Sequence, residues 1–204
     1  MKQILRFGVT LLAVALLSGA AAQTITVAQT ITVAQGADAV ILDPHKTNDQ
    51  PSARVMRQIY DTLVVQNEDL SLTPGLAASW EQVEPTVWEF TLREGITFHN
   101  GEPLEAADVV FTFNRMLDPE TAAPASFLLG FVESVEAVAD MTVRITTEFP
   151  FAPALSHFSH TAPSILNEEA VTEAGDDYGT SVVVGTGPFS LVNWDTASQL
   201  VLER

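Results

Sequence analysis

The residue types able to do chemistry are sparse and scattered. His157 and His160 have the H-x-x-H spacing that can set two imidazoles on one helical face, as a zinc site requires. No acidic residue lies between them and no third ligand is adjacent, so the spacing points to no metal site. Glu168-Glu169 and Asp176-Asp177 invite comparison with the paired carboxylates of a hydrolase. Neighbours in a helix do not face each other, however, and no nucleophile with a base and an orienting group is evident. Neither G-x-S-x-G nor H-E-x-x-H occurs. Gly185-Thr186-Gly187-Pro188 holds a lone G-x-G with no third glycine and no following Lys-Ser or Lys-Thr, so it is not a phosphate loop. No catalytic residue, cofactor or metal is therefore expected, and the weight falls on a loop, residues 36–45, that follows a strand-like segment.

That segment is a tandem hexapeptide, TITVAQ at 24–29 and again at 30–35. Its β-branched alternation predicts a strand, and the second copy is expected to be the first native strand because it leads directly into the loop. Downstream, a helix is expected from Pro51 to about Asp61, with Val55, Ile59 and Leu63 on one face. Residues 63–80 read as a short strand, a polar turn and the break Pro74-Gly75. The clearest strand signal is 86–99, interrupted by the turn Arg93-Glu94-Gly95 and followed by Asn100-Gly101, which suits positive φ. Val109, Val110, Phe113 and Met116 predict an amphipathic helix over 106–116, with Glu105 and Asp108 favourable at its start. Two strands follow at 131–137 and 141–147, then a short helix ending near Phe158, then helix and loop over 163–179. Val182-Val183-Val184 and 189–194 read as strands around the Gly-Thr-Gly-Pro turn. Leu200 to Arg204 reads as a strand cut off before it meets its partners.

The N-terminus fixes an expected compartment. Lys2 and Arg6 precede an apolar run over 7–17 and then the small residues Ser18 to Ala22. This is the pattern of a cleaved signal peptide over residues 1–22, since a membrane span needs about 20 apolar residues. The formal charge of -17 becomes -19 once Lys2 and Arg6 are removed. So acidic a surface repels phosphate backbones and argues against nucleic-acid partners. The chain has no cysteine, hence no disulfide framework, no thiolate site and no lipid-accepting cysteine. The expectation is a freely soluble, monomeric periplasmic protein.

Five motifs in order carry a more specific signal: LDPH at 42–45, TPGLAASW at 73–80, WEFTLREGITFHNG at 88–101, ADVVF at 107–111 and GTGPF at 185–189. Together they resemble the family 5 extracellular solute-binding proteins, the peptide- and nickel-type carriers of ABC importers. The resemblance covers nearly all of residues 31–204. It implies a mixed α/β (α+β), periplasmic-binding-protein-like fold with two lobes that close over a ligand. Residues 23–54 would be the first segment of lobe I, 55–175 an inserted subdomain and 176–204 the return into lobe I, with lobe II outside this chain. It implies a carrier that captures a short peptide or similar small solute for the transmembrane subunits of an ABC permease. Nickel complexes, sugars and opines also occur as ligands among relatives. A secreted hydrolase and a chaperone-like binder of long unfolded chains are the alternatives.

Within that frame Trp80, Trp88, Phe90 and Phe98 are expected in the core. Arg93 is expected to orient a turn through a nearby carboxylate, and His99 to serve a turn rather than a metal. The Gly-Thr-Gly-Pro segment is expected to be a tight crossover. Gly36, Ala37 and Asp38 are the expected ligand-binding residues, presenting backbone groups to an extended peptide beyond a strand end. His45 completes the candidate set. Asp43-Pro44 reads as a turn.

Overall fold

A computed structural model describes residues 30–204. The signal-peptide pattern and the first TITVAQ copy lie outside the described residues. The chain divides into two units, Met1–Ala34 and Gln35–Arg204. In the first, residues 30–34 are exposed and carry no regular structure. The expectation of a first strand at 30–35 therefore fails in this structure. β-branched residues favour a strand only where a ladder and a packing surface receive them, and these residues have neither.

In the second unit the elements run α1 (Gln50–Ile59), β1 (Val64–Gln66), β2 (Leu72–Pro74), β3 (Ala77–Glu84), β4 (Val87–Leu92), α2 (Ala106–Leu117), a 3-10 turn (Ser126–Leu129), β5 (Val132–Ala139), β6 (Thr142–Thr147), α3 (Ala154–Phe158), α4 (Glu168–Ala174), a second 3-10 turn (Gly175–Asp177), β7 (Ser190–Asp195) and β8 (Gln199–Glu203). The strands form an antiparallel four-stranded sheet in the order β3-β4-β6-β5 and two hairpins, β1-β2 and β7-β8. The fold is mixed α/β.

The four-stranded sheet is built by alternation. Phe90 and Leu92 of β4, and Val143, Ile145 and Thr147 of β6, all turn to one face and are buried. On β5 the buried residues are Val132 and Val135, three apart, which strict alternation would put on opposite faces. A bulge between Val132 and Ser134 resolves this: Val132 pairs with Thr147 and Val135 with Ile145, so both look inward. Helix α2 covers this face with Val109, Phe113 and Met116. Phe158 of α3 meets Phe90 and Phe113 edge-on at centroid distances of 5.8 and 5.5 Å, a favourable arrangement for aromatic rings. Trp80 and Trp88, expected in the core, are only half-buried and pack at its margin.

A second apolar cluster gathers sequence-distant segments. Leu42, Met56, Ile59 and Tyr60 meet Leu166, Val171 and Tyr178, with Leu191, Trp194, Leu200 and Leu202 of the β7-β8 hairpin against them. Helix α1 begins where Asp49 Oδ1 accepts from the Ser52 backbone N–H at 2.9 Å, an N-cap with Pro51 just inside it. It buries Met56 and Ile59 and leaves Val55 half-buried, a slight rotation from the expected face; Leu63 lies beyond its end. Helix α2 begins with the Glu105 backbone N–H donating to Asp108 Oδ2 at 2.9 Å, half of a capping box.

Three other expectations change. Strand β3 was not expected, since its mostly exposed residues give little apolar alternation. Val182-Val183-Val184 forms no strand beyond one bridge from Val182 to Tyr178. The Val184 carbonyl accepts from the Tyr178 hydroxyl at 2.9 Å instead of a ladder. The C-terminal strand is not without a partner: β8 pairs with β7 from Asp195↔Gln199 to Ser190↔Glu203.

Candidate functional site

The loop over residues 36–46 has no regular element and is shaped by its contacts. Gly36 and Ala37 are exposed, and a Cβ on Gly36 would meet nothing within 4 Å. Their backbone is open to a partner. Asp38 is half-buried and already engaged: Oδ1 accepts from the Ala39 N–H at 2.9 Å, and Oδ2 from the Ala197 N–H at 2.6 Å. Ala197 sits in the β7-β8 turn at φ 62°. Further on, the Val40 N–H donates to Ser52 Oγ at 2.9 Å, and the Leu42 N–H to the Gly179 carbonyl at 2.8 Å. The Tyr60 hydroxyl donates to the Leu42 carbonyl at 2.8 Å. Burial holds that hydroxyl well above the usual phenol range, with Tyr178 adding to the effect.

Asp43 and His45 do not face solvent. Each is 1% exposed. Asp43 Oδ1 accepts from the His45 backbone N–H at 2.8 Å, a local turn bond. The guanidinium of Arg115, in the last turn of α2, forks onto the same carboxylate: Nη1 to Oδ1 at 3.1 Å and Nη2 to Oδ2 at 2.7 Å. Nη1 also lies 2.9 Å from His45 Nδ1. A guanidinium can only donate, so Nδ1 accepts and the imidazole proton resides on Nε2. That Nε2 is buried with no partner, an arrangement that costs about 1–3 kcal/mol. Burial, then the Arg115 charge, lowers the His45 pKa to about 3, so the ring is neutral at physiological pH.

Gly179, at φ +85°, backs this corner, and a Cβ there would fall 2.5 Å from the Asp43 nitrogen. Asp43-Pro44, expected as a turn, is therefore also an ion-pair anchor. Sequence reasoning missed Arg115. Its only signal was a basic residue in the last turn of a predicted helix, where the dipole alone accounts for it.

The other singled-out side chains serve the chain itself. The His99 backbone N–H donates to the Gly185 carbonyl at 2.9 Å, and its ring spans the crossover: Nδ1 accepts from the Gly185 N–H at 3.3 Å while Nε2 faces the Gly187 carbonyl at 2.8 Å. The two glycines press on the end of α1, where Cβ atoms would lie 2.1 Å from the Ile59 carbonyl oxygen at Gly185 and 2.6 Å from the Ile59 carbonyl carbon at Gly187. Arg93 pairs with no carboxylate; it donates to the carbonyls of Gly75 at 2.6 Å and Pro74 at 3.3 Å. Pro74 ends β2 and Gly75 follows it, and the guanidinium bridges their two carbonyls. His157 Nδ1 lies 2.8 Å from the Leu128 carbonyl, and its ring meets Phe131 and Phe151 edge-on. His160 Nδ1 accepts from the Ala162 N–H at 3.1 Å, and burial lowers its pKa. Among the described residues no group of three His, Cys, Asp or Glu is placed to hold a metal ion. No described helix is long and apolar enough to cross a membrane. Two open surface grooves flank α2, one along Val110, Phe111, Asn114 and Arg115 and one along Glu105, Asp108, Glu169 and Glu173; neither includes residues 36–38.

The loop is tied down at Asp38 and Asp43 and leaves Gly36 and Ala37 exposed. Residues 71–204 match the model of bacterial extracellular solute-binding proteins, family 5, middle region, and the chain belongs to that family. The periplasmic oligopeptide-binding protein OppA of Salmonella typhimurium is 30% identical over 187 residues, covering 83% of this chain and 34% of the relative. The glutathione-binding protein GsiB of Pectobacterium atrosepticum is 29% identical over 170 residues, covering 83% and 33%. Among solved structures, Haemophilus influenzae OppA in complex with the peptide RPPGFSPFR superposes with a TM-score of 0.78 at 32% identity, covering 83% of this chain and 37% of that one. The chain thus spans about a third of the length of the curated relatives it matches.

Proposed function

We propose that the protein carrying this chain is the substrate-binding component of an ABC importer, capturing short peptides in the periplasm and delivering them to the permease's transmembrane subunits. The observation that carries the reading is the match over 83% of the chain to oligopeptide-binding proteins, one of them solved with a bound peptide. The protein acts as a monomer, performs no covalent chemistry and binds no nucleic acid, in keeping with its acidic charge. Gly36, Ala37 and Asp38 meet the ligand through their backbone, as an added strand would be met. The side chains of Asp38 and His45 act from behind, since both are occupied by the chain's own groups.

The lobe assignment is part of the proposal: 1–22 signal peptide, 23–54 first segment of lobe I, 55–175 inserted subdomain, 176–204 return. The two apolar clusters divide the chain in the same order but at other bounds: one is drawn from residues 63–165 and the other from 39–60 joined to 166–178, so Met56 to Tyr60 and Leu166 to Val171 pack with the first segment. Lobe closure over the ligand would report occupancy to the permease.

Native mass spectrometry of the full-length product purified from its host tests the reading. A co-purified peptide released on denaturation is the expected result. An empty protein whose melting temperature does not move with a peptide library would overturn the peptide class.

A further inference from the structure

We propose that Arg115 is a positioning residue for ligand capture: fixed on the last turn of α2, its guanidinium sets the conformation of the loop 36–45 by gripping Asp43 and His45 together. The inference rests on reading that loop as the ligand-contact segment.

The geometry supplies the argument. Between Gln35 and the start of α1 the loop has no ladder and no helix, so its shape is set by discrete clasps. One clasp, Asp38 to the Ala197 N–H, ties its start to the β7-β8 turn. Its middle is held by Ser52, Gly179 and Tyr60 through the backbone of Val40 and Leu42, and Arg115, on Asp43 and His45, is the side-chain tie that joins its end to α2. Helix α2 is anchored in the cluster of Phe113 and Met116, whereas Leu42, next to Asp43, belongs to the cluster of Ile59 and Tyr60. The ion pair therefore joins the loop to a helix whose buried face lies mainly in the other cluster, with only Phe111 of α2 packed against the loop's own. Arg115 is suited to this as lysine is not. A planar fork fixes direction as well as distance, and one of its arms serves the carboxylate and the imidazole at once. With Asp43 at 1% exposure, its charge has no solvent to turn to if the fork is lost.

The test uses the full-length protein and two variants. R115K keeps a cation but loses the fork. The double variant D43N/R115M removes both charges, so that a failure to fold through an unpaired buried charge is avoided. Three readouts are taken. Hydrogen exchange at the amides of Ala39, Val40, Leu42 and His45 is compared with exchange in β4 and β6. The His45 tautomer is read by carbon-13 shifts of the ring. Affinity is measured for a fixed mixture of tri- to pentapeptides.

The expected result is faster exchange confined to the loop in both variants, an Nε2–H tautomer in the wild type that loses its dominance in D43N/R115M, where the donor facing Nδ1 is gone, and weakened peptide affinity in both. Loosening spread equally through β4 and β6 would make Arg115 a general stabiliser and overturn the inference. So would loop exchange that does not change, or a loosened loop with unchanged affinity. If the wild type binds no peptide, the proposed function fails on that arm, and the exchange and tautomer arms still decide whether Arg115 sets the loop.

Discussion

At the level of single residues, His45 has a consequence that acid should expose. Its folded-state pKa is lowered to about 3 from 6.5, so below the ordinary value the unfolded chain binds a proton that the folded chain refuses. Stability then rises with pH across that interval and is lost as pH falls from about 6.5 toward 3. Urea denaturation of the full-length protein at pH 7 and pH 4.5 should show a drop that shrinks in the H45Q variant. An equal drop in the variant would assign the acid sensitivity to other groups. Gly185 provides a second residue-scale test. Its missing Cβ is what lets the crossover lie on the Ile59 carbonyl, since a methyl there would sit 2.1 Å from that oxygen. G185A should destabilise by about 2 kcal/mol or more, as overpacking against fixed backbone does, with melting temperature as the check.

At the level of elements, the sheet and α2 share one aromatic knot. Phe158 is 1% exposed and meets both Phe90 and Phe113, so it locks α3 to the sheet and to the helix together. F158A should cost about 3–5 kcal/mol, the range for truncating a large buried aromatic. The β5 bulge shows what periodicity conceals. Val132 and Val135 appear out of phase in the sequence, and only pairing with Thr147 and Ile145 puts both inward. Strand β3 shows the reverse: an edge strand with one paired neighbour and mostly exposed side chains gives little hydrophobic pattern, so it was visible only once β4 lay beside it.

For the whole molecule, the proposed ligand must be enclosed, and small-ligand sites bury roughly 70–90% of what they hold. The chain spans about a third of its relatives' length, and its described loop offers one face. Residues 23–204 alone should therefore bind the peptide mixture at least about a hundredfold more weakly than the full-length protein, since one wall cannot exclude water. Isothermal titration of both would check this, and equal affinity would contradict the two-lobed reading.

The sequence by itself determined the family, through five short motifs in fixed order, and the positions of α1, α2, β4 and the β5-β6 pair, because each carries its own periodicity or cap within a few residues. It also located the loop 36–45. What it left undecided were relations between residues far apart in the chain. The fork of Arg115 on Asp43 spans 72 positions, the His99 ring on Gly187 spans 88, and the Asp38 carboxylate on Ala197 spans 159. None leaves a local pattern, since a single polar residue looks the same whether it faces water or a distant partner. The same limit explains the segment 30–35, whose β-branched alternation is a real local preference that finds no ladder in the described structure. Local preference is written in neighbouring side chains, whereas burial, pairing and the protonation of His45 depend on which distant groups the fold brings within a few ångströms.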